Sequence, residues 1–203
     1  MPKRYKTVLL FGPPGAGKGT QGKLLGRIPG FFHHSSGDVF RNLNPKTEAG
    51  RMFADFSGRG ELVPDDVTIG VWRENLEGQI KLHAYHPDSQ LLLLDGIPRN
   101  AHQAQLMDNE VDVKLILHLH CPDMDAFVER LKKRALKEKR NDDAKEDVIR
   151  HRLEVYAEET RPVLEHYPPA LVRNINAIGT QVAVLRRVLD ELAPVYEEFY
   201  GEP

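Results

Sequence analysis

Cysteine is nearly absent. Cys121 stands alone among 203 residues, so the chain has no intrachain disulfide and no cysteine-built zinc cage. Long hydrophobic runs are absent too: apolar stretches such as 8–11, 91–94 and 115–117 fall far short of the roughly 18 residues of a membrane span. The basic start, residues 1–6, is not followed by the apolar core of a signal peptide. Charge of one sign is also lacking. The 28 Lys and Arg nearly balance the 30 Asp and Glu, which excludes a globally basic nucleic-acid binder. At 40% hydrophobic and 29% charged residues the composition is that of a folded globular chain, not a disordered one. The expectation is a cytoplasmic monomer, one domain over 1–203, with no membrane or nucleic-acid partner.

What is present is a βα rhythm. Apolar runs at 6–11, 31–35, 91–95, 113–120 and 171–175 read as strands. Helical stretches fall between them at 18–28, 38–42, 47–57, 65–83, 101–109, about 122–136, 143–166 and 182–192. The run at 91–94 is leucine throughout, as suits a parallel strand buried on both faces. The alternation predicts an α/β fold with a five-stranded parallel sheet flanked by helices. Trp72 reads as a packing residue. His33 and His34 are adjacent, so on a strand they face opposite ways. His118 and His120 share a face but have no evident third partner for a metal.

The strongest motif is Gly12-Pro-Pro-Gly-Ala-Gly-Lys-Gly-Thr20, which leaves a predicted strand and opens a predicted helix. Its glycines let successive backbone N–H groups turn inward on phosphate oxygens, aided by the helix N-terminus, while Lys18 adds a point charge. Gly15, Ala16, Gly17, Lys18, Gly19 and Thr20 are therefore candidate ATP-binding residues. Gly19 occupies the position that usually carries Ser or Thr, so a metal would be reached through water and phosphate instead of that hydroxyl. Asp95, ending an apolar strand, reads either as an anchor for Mg²⁺ through water or as a helix cap.

The loop with its extra glycine resembles the adenylate kinase family. So do Ser35-Ser-Gly-Asp-Val-Phe-Arg41, Gly60-Glu-Leu-Val-Pro-Asp65 and Leu94-Asp-Gly-Ile-Pro-Arg99, the last with Ile97 where the family has Phe. The resemblance runs from about Thr7 to Gly179. It implies a P-loop NTPase-type core, an acceptor-binding helical segment at about 36–65 and a short lid at about 135–143. It implies Mg-dependent, reversible phosphate transfer from ATP to AMP, in the service of nucleotide homeostasis. Lys18, Arg99, Arg134, Arg140 and Arg152 would be catalytic, since a bidentate guanidinium suits the charge of a moving phosphoryl group. Arg130, Arg134, Gly179 and Gln181 would join the donor side. Ser36, Arg41, Glu61, Leu62, Val63, Gly96, Ile97, Pro98, Arg99, Gln103, Arg140 and Arg152 would form the acceptor side.

From the residues alone, the arginines read as a solvated face paired with Glu129, Glu138 and Asp147, the usual fate of a charge run. Gln103 sits four residues after Arg99, where adenylate members of the family carry glutamine; its amide can pair with adenine, or it faces solvent. Pyrimidine-using members resemble Arg-Asn-x-x-Asn here, and Asn100 fits only the first Asn. The alternatives are a UMP/CMP kinase and a slow nucleotide-binding switch, though no Asn-Lys-x-Asp guanine motif is present.

Overall fold

The structure is a computed structural model and describes residues 4–121, 124–138 and 145–201. Five strands, β1 (Tyr5–Phe11), β2 (Phe31–Ser35), β3 (Leu91–Asp95), β4 (Val111–His120) and β5 (Val172–Asn176), form one parallel sheet in the order β2-β3-β1-β4-β5. Around it lie α1 (Lys18–Leu25), α2 (Ser36–Arg41), α3 (Glu48–Arg59), α4 (Asp65–Lys81), α5 (Ala101–Met107), α6 (Met124–Glu138), α7 (Glu146–Val155) and α8 (Gln181–Tyr200). Among the described residues, no helix is long and apolar enough to cross a membrane.

Alternation along the central strands explains the layering. Val8 and Leu10 point with Leu91 and Leu93 into a core closed by Leu25, Phe127, Leu131, Ile149 and Val188. Leu9 and Phe11 point with Leu92 and Leu94 the other way, against Trp72, Leu76, Ala104 and Met107. Both faces are therefore covered, which is why residues 8–11 of β1 and 91–94 of β3 carry no polar residue. Trp72 is a packing residue, only 1% exposed.

The register sets the site. Leu10 pairs with Asp95, and Ser35 pairs with Asp95 from the other side. The loops leaving β1, β2 and β3 thus open on one edge. There the chain order reverses about β1, the crevice where open parallel sheets bind ligands.

Most helix boundaries agree with the sequence reading to within two residues, and three helices depart by more. The helix expected over 143–166 is α-helical only over Glu146–Val155, continuing as a π turn, Tyr156–Thr160, and a 3-10 stretch, Arg161–His166. Pro162 has no N–H to donate and its ring crowds the carbonyl four residues back, which disfavours the α ladder in the turns around it. Helix α1 stops at Leu25, short of residue 28. Helix α8 runs on through Pro194 to Tyr200. Its last turns are tied down by the hydroxyls of Tyr196, on the Pro29 carbonyl, and Tyr200, on those of Gly30 and Ser89. Tertiary anchoring here overrides the cost of the internal proline. Arg140 and residues 139–143 of the expected lid lie outside the described residues.

Candidate active site

The loop between β1 and α1 is built on two backbone conditions. Gly12 has φ +141°, and a Cβ there would lie 2.2 Å from the Leu119 carbonyl oxygen on β4. Gly17, with φ +95°, occupies the cap position of α1 without a side-chain cap, leaving the first helical N–H groups open to a ligand. Lys18 then folds back over the loop, its Nζ donating to the carbonyls of Gly12 at 2.7 Å and Pro13 at 3.1 Å.

This loop floors a cleft of about 550 Å³. Gly15, Ala16, Gly17, Lys18, Gly19 and Thr20 line it, as do Asp95, Gly96, Ile97, Pro98 and Arg99 from the end of β3. Arg41 enters from α2, Arg130 and Arg134 from α6, and Arg152 from α7. Gly179 and Gln181 close it beyond β5. A second cavity of about 40 Å³ adjoins it, lined by Ser36, Glu61, Leu62, Val63 and Gln103, with Leu62 and Arg99 common to both. Every site residue expected from the sequence lines one of the two cavities, apart from Arg140.

The electrostatics of the cleft are lopsided. Burial pushes the Lys18 ammonium down to about 8. Asp95 opposes the shift, whereas Arg99, Arg134 and Arg152 add to it by repulsion. Three guanidiniums and one buried carboxylate, Asp95, which is 6% exposed, thus act together on Lys18. Such an arrangement favours a polyanion. Among the described residues near the charged segment, Glu129 and Glu146 pair with Lys132, and Glu146 and Asp125 pair with Arg150. Arg130 donates to the Ala177 carbonyl at 3.0 Å, tying α6 to the loop beyond β5. Arg41 is held by Asp38 at 2.5 Å.

Asp95 is not a helix cap. Asn100 caps α5, its Oδ1 accepting the Gln103 N–H at 2.8 Å while its Nδ2 donates to Asp65 at 2.9 Å. Both ends of Asn100 are thereby engaged within the protein. Gln103, at 1% exposure, is no solvent-facing residue. Its Oε1 accepts from the Arg99 N–H and its Nε2 donates to Asp65, each at 2.8 Å. A side-chain amide has two N–H groups and two lone pairs, so one of each remains for a ligand.

Sequence reasoning missed Gln21, Tyr156 and Thr160, which also line the cleft. Tyr156 lies four residues after Arg152, and that helical spacing was the available signal. The π turn brings Tyr156 and Thr160 inward to 8% and 9% exposure. The Tyr156 hydroxyl lies 3.0 Å from His118 Nε2, and His118 Nδ1 lies 2.8 Å from Asn174 Oδ1. His118 is thus part of a packed polar chain. His118 and His120 stand with ring centres 5.9 Å apart, and among the described residues no group of three or more His, Cys, Asp or Glu side chains could hold a metal.

The family model for adenylate kinase matches residues 10–171. The chain is 38% identical over 191 residues to the adenylate kinase of Thermobifida fusca, covering 91% of this chain and 97% of that one. It is 40% identical over 192 residues to the adenylate kinase of Nocardia farcinica, covering 91% and 98%. A third relative, the adenylate kinase of Prochlorococcus marinus, is 40% identical over 80% of this chain and 83% of its own.

Proposed function

The chain belongs to the adenylate kinase family, and from that premise we propose that its cleft moves the terminal phosphate of ATP to AMP, reversibly, giving two ADP. It is a phosphotransferase of the nucleoside-monophosphate kinase class. The observation that carries the substrate assignment is the convergence of Lys18, Arg99, Arg134 and Arg152 on one cleft, with a small polar pocket opening beside it at Arg99.

In this reading the donor triphosphate lies along residues 15–20, with Lys18 on its β- and γ-phosphates and Arg130 and Arg134 beside them. The acceptor phosphate lies between Arg41, Arg99 and Arg152, and its base enters the pocket of Gln103. An acceptor phosphate oxygen attacks the γ-phosphorus as the bond to the β–γ bridging oxygen breaks. The cations hold the two anions in line and balance the charge that spreads over the moving group. Segment 36–65 serves the acceptor and 135–143 the short lid, with Arg140 joining the acceptor side on closure. The enzyme acts as a cytoplasmic monomer on these two small molecules, without nucleic acid or membrane.

Mg²⁺ fits this site. Asp95 is a buried carboxylate at the end of β3, and a Cβ on Gly19 would stand 3.6 Å from its Oδ2, so the missing side chain leaves space beside it. Mg²⁺ keeps most of its waters and takes one or two carboxylates together with substrate phosphates. Bound with the nucleotide, it supplies neutralising charge on the phosphates, and Asp95 would hold it through water.

The test is ATP turnover across AMP, CMP, UMP, GMP and dTMP. AMP is expected to exceed CMP and UMP by at least about a hundredfold in kcat/KM: uracil's keto group and ring N–H leave the Gln103 amide unpaired, and cytosine, with an edge of the same polarity as adenine, is a smaller ring whose edge falls short of it. Gln103→Leu should narrow that gap. Equal use of CMP by the native enzyme would sink the assignment of AMP.

A pH measurement tests the donor side. With Lys18 lowered to about 8, a growing share of the ligand-free enzyme has lost this proton above that pH. Triphosphate brought against it favours the charged form, so ATP binding at pH about 9 should take up protons. Calorimetry in two buffers of different ionisation enthalpy should register the uptake in the native enzyme and lose it in Lys18→Met. Equal uptake in both proteins would place the titrating group elsewhere.

A further inference from the structure

We propose that Asp65 is a positioning residue for base recognition, fixing which way round the Gln103 amide stands and thereby selecting an acceptor base with an amino group over one with a keto group. The inference rests on the reading of Gln103 as the residue that meets the acceptor base.

Asp65 is the first residue of α4, and its carboxylate faces the start of α5. Oδ1 accepts from Asn100 Nδ2 at 2.9 Å and from Gln103 Nε2 at 2.8 Å. Oδ2 lies 2.9 Å from His102 Nδ1, which must donate because an ionised carboxylate only accepts. Partial burial pushes the Asp65 carboxyl up, but the bonds from His102, Gln103 and Asn100 outweigh it and hold it below its ordinary value. At neutral pH it is therefore an acceptor on both oxygens.

That matters because an amide is nearly symmetric in shape and opposite in polarity at its two ends. Gln103 is clamped from both sides, with Oε1 on the Arg99 N–H and Nε2 on Asp65. Turning the amide over would set its oxygen against a carboxylate and its NH₂ against a backbone N–H. The free N–H and free lone pair therefore have a fixed order. Adenine presents an amino donor beside a ring-nitrogen acceptor, and guanine presents the reverse, a keto acceptor beside a ring N–H. An amide that could turn would match either edge; a locked one matches only one. The Arg99 N–H belongs to the backbone, so Asp65 is the half of the clamp that side-chain chemistry can remove.

The experiment measures kcat/KM for AMP and for GMP, and KM for ATP, in the native enzyme and in Asp65→Ala, Asp65→Asn and Gln103→Leu. Asp65→Ala should lower the AMP-to-GMP ratio by about tenfold, the effect of losing one buried amide partner. KM for ATP should be unchanged, a split that mere loosening of α4 would not produce. Asp65→Asn keeps an oxygen for Gln103 and Asn100 and should retain most of the ratio. If alanine does not fold, Asp65→Ser replaces it: serine suits a helix start, but its hydroxyl is too short to reach Gln103. A ratio within twofold of native in the folded alanine or serine variant, with Gln103→Leu impaired on AMP, overturns the role of Asp65 alone. Equal losses in Asp65→Asn and Asp65→Ala would assign the effect to the charge at α4, and also overturn it. If Gln103→Leu leaves AMP use intact, the base-reading assignment itself falls, and the role of Asp65 falls with it.

Discussion

Lys18→Met is expected to lower kcat/KM by about a thousandfold or more while the protein stays folded and melts no earlier than the native enzyme. The catalytic half follows from position. Nζ stands over the loop on the carbonyls of Gly12 and Pro13, where it shares the electrostatic environment of three arginines and Asp95. Methionine keeps the length without the charge. The stability half follows from the sign of the shift. A lysine lowered from 10.5 to about 8 by burial binds its proton less well when folded than when unfolded. Its charge therefore opposes folding below about pH 8, and the penalty fades as pH rises from about 8 towards 10.5, so this group makes the ligand-free enzyme more stable with rising pH across that window. Methionine removes the penalty, and the two released carbonyls face a cleft that water can enter. Thermal melts should thus show an unchanged or raised midpoint at pH about 7, with the rise caused by ATP in the native enzyme lost. A folded variant with near-native turnover would remove the phosphate-loop assignment.

Much of this was legible from local patterning. The leucine run at 91–94 and the apolar run at 8–11 could hardly be anything but strands covered on both faces, and both are. The glycine–lysine loop was readable because its backbone needs are severe, as the 2.2 Å approach at Gly12 shows. Helix ends were less legible. Pro162 lies inside a long amphipathic pattern, where its missing N–H costs the α ladder a bond, yet Pro194, at the same cost, does not end α8, because distant carbonyls hold Tyr196 and Tyr200. Asp65 lay in a motif, yet its bonds to Asn100, His102 and Gln103 bridge more than thirty residues of chain, as do the contacts of His118 with Tyr156 and Asn174. A hydrogen bond between remote residues leaves no periodic trace, so only the folded chain reveals it.

Arg99→Ala should cost about a hundredfold to a thousandfold in kcat/KM, the usual loss when one donor to developing charge is removed. Arg99 is the residue that lines both cavities through its side chain while its backbone N–H holds Gln103. Its Nε donates to the Gly96 carbonyl at 2.6 Å, which aims the guanidinium from the loop that follows β3. Alanine removes the guanidinium and leaves the N–H, so base reading should survive while phosphate holding fails. The variant should accordingly keep its preference for AMP over CMP at a much reduced rate. Arg99→Lys should recover little, because a point charge on a flexible stem cannot replace a planar fork set against two phosphate oxygens. The two cation variants also separate the two halves of the cleft. ATP should still raise the melting midpoint of Arg99→Ala, where AMP should not, and Lys18→Met should show the opposite. A loss below tenfold, with Mg²⁺ and ATP saturating, would contradict a place for Arg99 on the acceptor phosphate. An equal loss of the ATP and AMP shifts would mean that Arg99 organises the whole loop after β3 instead of holding one anion.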